Sequence, residues 1–514
     1  MRTTNDTVSG RRVPPPPEER ALEFPDLAPE VEAQLVARLI SPDFREWSTT
    51  VARVGSCAHP VRLVGHTRTF DKTTGEVIRS YSSHLDEPTG ITYKRCGNRR
   101  ASVCESCSRQ YAADTFHLIR AGVAGGKGVP TTVGDNPLVF STLTAPSFGP
   151  VHGTRANGGR CRPRRDDGTR CPHGRRTSCM SIHTDGDPKV GQPLCVDCYD
   201  YPSHVVWQWW APELWRRFTI ALRRHVAAYL GVPATGLVDR TTVQYAKVAE
   251  YQLRGAVHFH ALIRLDGPKT REGFAPAPPT LTAPVLADLV AHAAAAVRFT
   301  APPVHPGDHT RTLAFGVQVD TRPVRTSRRT DDPDRELTPE QVAGYLAKYA
   351  TKSATDTTTT NTAHLRRLHA TAGRLARYAT DTTPVQSAGT AVVDEPGPYD
   401  LLGKWSASLG FRGHFATKSR RYSVTLGALR RARQRARTRI AEANRTGRHL
   451  DLRQLETELL ADEDDDTTLI IGQWAYAGSG WANEGETALA VAAASRAREY
   501  AQERVQRRYE CSPD

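Results

Sequence analysis

The sequence predicts an α+β fold, with an antiparallel sheet carrying a pair of histidines at its centre, helices packed on it, and cysteine-rich inserts. Three observations lead there. Val243 to Leu265 reads as two strands turning at Arg254-Gly255, with His258 and His260 on the second strand. Thr338 to Lys352 carries the start signals of a helix and places two tyrosines four residues apart. Cysteines cluster before Cys107 and again between Cys161 and Cys198, outside the strand-like runs.

Each element follows in chain order. Residues 1–50 read as a disordered or extended arm, with Pro14 to Pro17 a stiff stretch. Residues 51–135 hold the first cysteine group among strand-like pieces. The 136–355 region is the core, opening on the buried strand Leu138 to Thr144 and interrupted by a Gly/Arg-rich insert over 158–200. Glu213 to Leu230 is an amphipathic helix with Trp215, Phe218, Leu222 and Val226 on one stripe. After a Pro-rich linker come a helix over Val285 to Phe299 and a strand around Leu313 to Val319. Residues 356–400 form a Thr-rich excursion, 401–460 a basic segment with a helix from Leu426 to Ala443, and 461–514 an acidic hinge and helical tail.

Composition narrows the function. A chain of 514 residues suggests about two to four domains. A net charge of +14 and a pI near 9.4 favour a polyanionic partner, nucleic acid first. The N-terminus lacks an apolar signal region and no apolar run reaches spanning length, so no membrane role and a cytoplasmic setting are expected. In that compartment, cysteines argue for metal rather than disulfides.

The richest stretch runs from Glu250 to Ile263. Strand side chains alternate, so His258 and His260 face the same way, about 7 Å apart, and two neutral imidazoles can hold one divalent ion. A turn near Arg254 sets Glu250 across from His258, making it the first choice of third ligand, with Gln252 as the rival. On the later helix, Tyr345 and Tyr349 share a face, and Lys348 and Lys352 each follow a tyrosine by three residues. A tyrosine attacks a phosphodiester when a cation offsets phenolate charge and a metal polarises the phosphate.

An apolar strand with Thr, then HxH, then a YxxK helix is the order found in rolling-circle replication initiators of the HUH superfamily, which the chain resembles. The doubled Tyr345-Leu-Ala-Lys348-Tyr349-Ala-Thr-Lys352 is similar to the two-tyrosine class, which includes gene A proteins of small isometric phages. Over roughly Val51 to Ile440 the chain looks most like the initiators of actinobacterial plasmids and integrative conjugative elements. Pro193 to Asp200, Glu213 to Arg217 and Gly410 to Tyr422 carry that likeness. The family pattern often shows His where this chain has Gln252, which keeps Gln252 open as a ligand.

The resemblance implies a palm-like HUH nuclease core with Mg²⁺ or Mn²⁺ on His258, His260 and Glu250. It implies nicking of single-stranded or extruded origin DNA by Tyr345 or Tyr349. The products are a 5′-phosphotyrosyl enzyme and a free 3′-OH for a host polymerase, with a host helicase as further partner. Of the two tyrosines, Tyr349 is preferred because it lies between Lys348 and Lys352. Arg254, Arg420 and Arg421 are candidate DNA contacts. A conjugative relaxase and a non-catalytic zinc-dependent DNA-binding regulator are the competing readings.

The cysteines suit structural zinc. Cys104 and Cys107 form a CxxC with Cys57 and Cys96 upstream, a four-thiolate set. Cys195 and Cys198 form a second CxxC, with Cys161 and Cys171 the favoured partners among Cys161, Cys171, Cys179, His173 and His183. About two Zn²⁺ are therefore expected. Cys511 reads as a tail thiol.

Overall fold

A computed structural model describes residues 27–155, 157–166, 168–270, 273–324, 339–351, 362–381, 397–448 and 468–510. The chain forms two compact units.

The larger unit comprises Asn98–Ser102 and Ser108–Asp465. Its centre is a five-stranded antiparallel sheet in the order Val319–Pro323, Leu138–Leu143, Val257–Asp266, Thr242–Tyr251, Ala416–Lys418. The histidine-bearing strand Val257–Asp266 is the middle one, and nine of its ten residues are buried. That explains its near-continuous apolar composition, since helices cover both faces.

On one face, Phe259, Ala261 and Ile263 pack with Trp207, Trp209, Leu214, Trp215 and Phe218 of helix Tyr201–Tyr229, together with Leu286, Leu289 and Val290 of helix Ala283–Ala296. On the other, Leu138, Ala246, Val248 and Leu262 pack with Ile119, Val123 and Tyr422 and with Val342, Ala343 and Leu346 of helix Pro339–Thr351. That helix thus lies on the face toward which His258 and His260 point.

Helix Tyr201–Tyr229 begins twelve residues before the expected Glu213, because Pro212 sits inside it. A proline reads as a helix start, yet here Asp200 is the N-cap, its carboxylate accepting from Ser203 N at 2.9 Å. The strand expected from Leu313 to Val319 is instead two pieces. Arg311–Leu313 pairs with Phe299–Ala301, and Val319–Pro323 pairs with Leu138–Leu143. The basic helix runs Leu426–Thr446, capped by Thr425 and ended by Gly447 in the left-handed region. A helix Ala363–Asp381 lies within the Thr-rich excursion.

The smaller unit comprises Met1–Gly97, Val103–Cys107 and Asp466–Asp514. Where an extended arm was expected, helices Pro29–Leu39 and Phe44–Arg53 form. Strand Val61–Asp71 pairs on one side with Val77–Ser82 and Thr92–Lys94 and on the other with Thr468–Ser479, all antiparallel. Residues after the acidic run thus supply a sheet strand as well as the helical tail Glu484–Glu510. The acidic run at 462–466 and Cys511 lie outside the described residues.

Candidate metal and nucleophile site

The hairpin register sets the site. Strands Thr242–Tyr251 and Val257–Asp266 pair so that Glu250 stands directly across from His258 and Val248 across from His260. Gly255 makes the turn at φ +77°, a conformation that L side chains rarely adopt. Its N–H donates to Gln252 O at 2.8 Å, and Gln252 N–H donates to Ala256 O at 2.9 Å.

Three ligand atoms converge. Glu250 Oε2 lies 3.1 Å from His258 Nε2 and 3.1 Å from His260 Nε2. The two imidazoles are 4.3 Å apart between ring centroids. Two nitrogens and one carboxylate oxygen, all within 4.8 Å of one another, make a donor set that fits a divalent cation. Gln252 is not part of it; its Oε1 accepts from Arg254 Nε at 2.8 Å.

The surroundings orient the ligands. Thr142 pairs with His260 across the adjacent strand and places its Oγ1 3.0 Å from His260 Nδ1. Phe140 stacks on the His260 ring at 5.7 Å with a 10° interplanar angle. Tyr345 packs edge-on to both rings, and its hydroxyl is 3.5 Å from His260 Nε2. Tyr345 is 39% exposed, so the phenol reaches both the ligand cluster and solvent. Lys348 is exposed one turn further along the same helix. The side chain of Tyr349 and the whole of Lys352 lie outside the described residues.

Arg254, a candidate DNA contact, is half-buried and bonded within the fold. Its guanidinium donates to Pro146 O at 2.8 Å, Ala145 O at 2.9 Å and Gln252 Oε1. Those bonds tie the hairpin turn to the end of strand Leu138–Leu143, so Arg254 braces the site from within. Its backbone carbonyl accepts from His364 Nε2 at 2.9 Å, and burial pushes the His364 imidazole down to about 4, which keeps it neutral. Arg420 and Arg421 are exposed and line, with Arg223, Gln244 and Ser419, a cleft of ≈ 340 Å³.

The structure gathers the cysteines into more groups than the sequence reading allowed. Cys57, Cys96, Cys104 and Cys107 form one cluster, as expected, with Cys57 Sγ 3.8 Å from Cys104 Sγ and 3.6 Å from Cys107 Sγ. Cys171, Cys195 and Cys198 form a second, but the fourth member is His173 and not Cys161. Cys161 falls instead beside His152, Cys179 and His183. The reason is a short ladder in which Arg162 and Cys179 exchange backbone hydrogen bonds at 2.9 and 3.0 Å, carrying Cys161 away from Cys171.

The chain's likeness to known proteins follows this geometry. Residues 43–495, a span that includes every cluster above, match the family described as RepSA, replication initiator protein of pSAM2. The chain belongs to this family of replication initiators. A replication initiator protein of Streptomyces ambofaciens is 41% identical over 470 residues, covering 90% of this chain and 93% of that one. No solved structure matches. Among the described residues of this initiator, no helix is long and apolar enough to cross a membrane.

Three contributors escaped the sequence reading, and a fourth was considered there but not favoured. Thr142 and Phe140 read as core because only the pairing of two distant strands puts them against His260. His152 carried no local signal. Cys179 and His183 were weighed as partners of Cys195 and Cys198, but the structure sets them together with Cys161.

Proposed function

We propose that this replication initiator is an HUH-type endonuclease, which opens origin DNA by tyrosine attack on a phosphodiester. The observation that carries the reading is the Tyr345 hydroxyl 3.5 Å from His260 Nε2, beside three convergent ligand atoms.

Glu250, His258 and His260 would hold Mg²⁺ or Mn²⁺, which when bound supplies Lewis-acid polarisation of a scissile phosphate. The chain's own residues do the rest. Tyr345 Oη attacks phosphorus; the new bond is Oη–P and the bond that breaks is P–O3′. The phenol proton leaves to solvent, and the departing 3′ oxygen takes up a proton to become a free 3′-OH. The 5′ phosphate stays on the tyrosine. Lys348 adds positive charge one turn away, offsetting charge that builds during attack. Tyr349, which its flanking lysines favoured, takes second place in a two-tyrosine cycle here because the Tyr345 hydroxyl lies beside the ligand cluster, and Lys352 serves Tyr349 as Lys348 serves Tyr345. The 3′-OH then primes rolling-circle synthesis by a host polymerase, with a host helicase opening the duplex. The clusters containing Cys57 and Cys195 hold structural Zn²⁺.

A 3′-labelled origin oligonucleotide incubated with Mg²⁺ tests this. Wild type should carry the label through a denaturing gel. Tyr345→Phe should lose most of it, and the Tyr345→Phe/Tyr349→Phe double variant all of it. Label still bound to the double variant would place the nucleophile elsewhere. Binding without any cleavage would favour a non-catalytic zinc-dependent regulator.

A further inference from the structure

Beyond the nuclease reading, the insert and the residues just before it contain a group that the initiator's function does not call for. His152, Cys161, Cys179 and His183 offer ligand atoms all within 4.8 Å of one another. Zinc bonded tetrahedrally at about 2.0–2.1 Å to nitrogen and about 2.3 Å to sulfur sets two nitrogens about 3.3 Å apart, and a nitrogen and a sulfur about 3.6 Å apart. Here His152 Nδ1 and His183 Nε2 are 3.2 Å apart, and Cys179 Sγ and His183 Nε2 are 3.4 Å apart. Two of the six edges of such a tetrahedron are thus met, and the other four lie within 4.8 Å.

Two further contacts point the same way. His183 Nδ1 donates to Asp187 Oδ2 at 2.6 Å, which turns the lone pair of Nε2 toward the cluster; zinc-bound histidines are oriented by carboxylates in this manner. The Gly153 backbone N–H donates to Cys161 Sγ at 3.3 Å, which fixes the direction of the sulfur toward the cluster. Cys161 and His183 are both buried, so the ligand atoms face one another and not solvent.

We infer that His152, Cys161, Cys179 and His183 form a third, closed zinc site, cross-braced with the site of Cys171, His173, Cys195 and Cys198. Along the chain the ligands alternate in pairs: 152 and 161, then 171 and 173, then 179 and 183, then 195 and 198. The segment joining the two halves of either site contains ligands of the other. Each metal therefore closes a loop that the other shortens, so the two ions bind as one cooperative pair. A pair of interlocked ions gives a fixed shape to a Gly/Arg-rich segment that has few regular strands or helices.

Elemental analysis of the purified full chain reads this directly. Wild type should hold three Zn²⁺. Two ions, with a Cys161–Cys179 disulfide found by mass spectrometry, would overturn the site. Cys179→Ser should fall from three ions to one, the survivor being that of the Cys57 cluster. Three ions retained would refute the site, and two would refute the cross-brace. Because serine could unfold the insert, Cys179→His provides the second arm. It should keep three ions, and cobalt substitution should show a weaker thiolate-to-metal charge-transfer band than wild type. An unchanged band would mean that Cys179 is not a ligand.

Discussion

An imidazole that gives Nε2 to a metal carries its proton on Nδ1, and Nδ1 of His260 needs an acceptor there. Thr142 Oγ1, 3.0 Å away, is that acceptor. Thr142→Val keeps the strand's shape and removes the acceptor, leaving His260 free to take the other tautomer. Nicking should fall about 10- to 100-fold, and part of the loss should return at high Mn²⁺. A variant that nicks at the wild-type rate across metal concentrations would show that Thr142 orients nothing. A second residue acts on stability alone. Lys247 is buried on the opposite face of its strand from Glu250, its Nζ 4.4 Å from the Phe259 ring and 5.4 Å from that of Trp215. Burial pushes its ammonium from the usual 10.5 down to about 7. The unfolded chain therefore takes up a proton below pH 10.5 that the folded chain refuses until about 7, so stability falls as pH drops through that window. Lys247→Met removes the cost. It should raise stability by on the order of 3 kcal/mol at pH 7, with the gain fading as pH rises to 10.5 in denaturant titrations. An equal gain at both ends would mean that charge is not the cause.

At the scale of elements, the hairpin is the part most legible in the sequence. His258 follows Glu250 by eight positions, and Gly255 sits between them, so turn chemistry and strand alternation together fix which carboxylate meets which imidazole. Gly255 is held there by more than its φ of +77°: a Cβ at this position would stand 2.8 Å from Leu365 Cδ2 and 2.9 Å from Leu368 Cδ1. Gly255→Ala should thus cost about 1–3 kcal/mol in backbone strain alone, lowering the unfolding midpoint and weakening nicking through displaced ligands. An unchanged midpoint would show that the turn relaxes freely. Other elements were less readable. Thr142 meets His260 across 118 residues of sequence, and no local period reports such a pairing. Pro212 inside helix Tyr201–Tyr229 imitates a start signal. Interleaved ligands leave no local signal for which upstream cysteines join a CxxC, so Cys161 was assigned to Cys195 and Cys198 although a ladder between Arg162 and Cys179 holds it elsewhere.

At the scale of the whole molecule, strand Thr468–Ser479 shows what sequence reading could not supply: its partner Val61–Asp71 lies some four hundred residues earlier, and nothing local in either names the other. Charge, by contrast, is a property of the entire chain and is read at once. A chain at +14 that meets single-stranded DNA displaces condensed counterions, and each phosphate contact contributes about −0.7 to the slope of log affinity against log salt. The structure divides the basic helix Leu426–Thr446 into two sides. Leu429, Ala432 and Ala443 are buried, and Arg433 pairs with the buried Asp114, so that side belongs to the fold. Arg437 and Arg445 are exposed on the same helix and can be changed without touching that pair. If they contact phosphates, Arg437→Gln/Arg445→Gln should lower the steepness of the salt dependence by about 1.4 and leave the melting temperature where it was. Fluorescence anisotropy on a labelled single strand, measured between low and moderate salt, reads the slope. The same titration on Arg420→Gln/Arg421→Gln tests the cleft shared with Arg223. A slope that keeps its wild-type value in one pair and flattens in the other assigns the DNA path to a single surface. Unchanged slopes in both would remove both surfaces from the path and leave the binding charge on other parts of the chain.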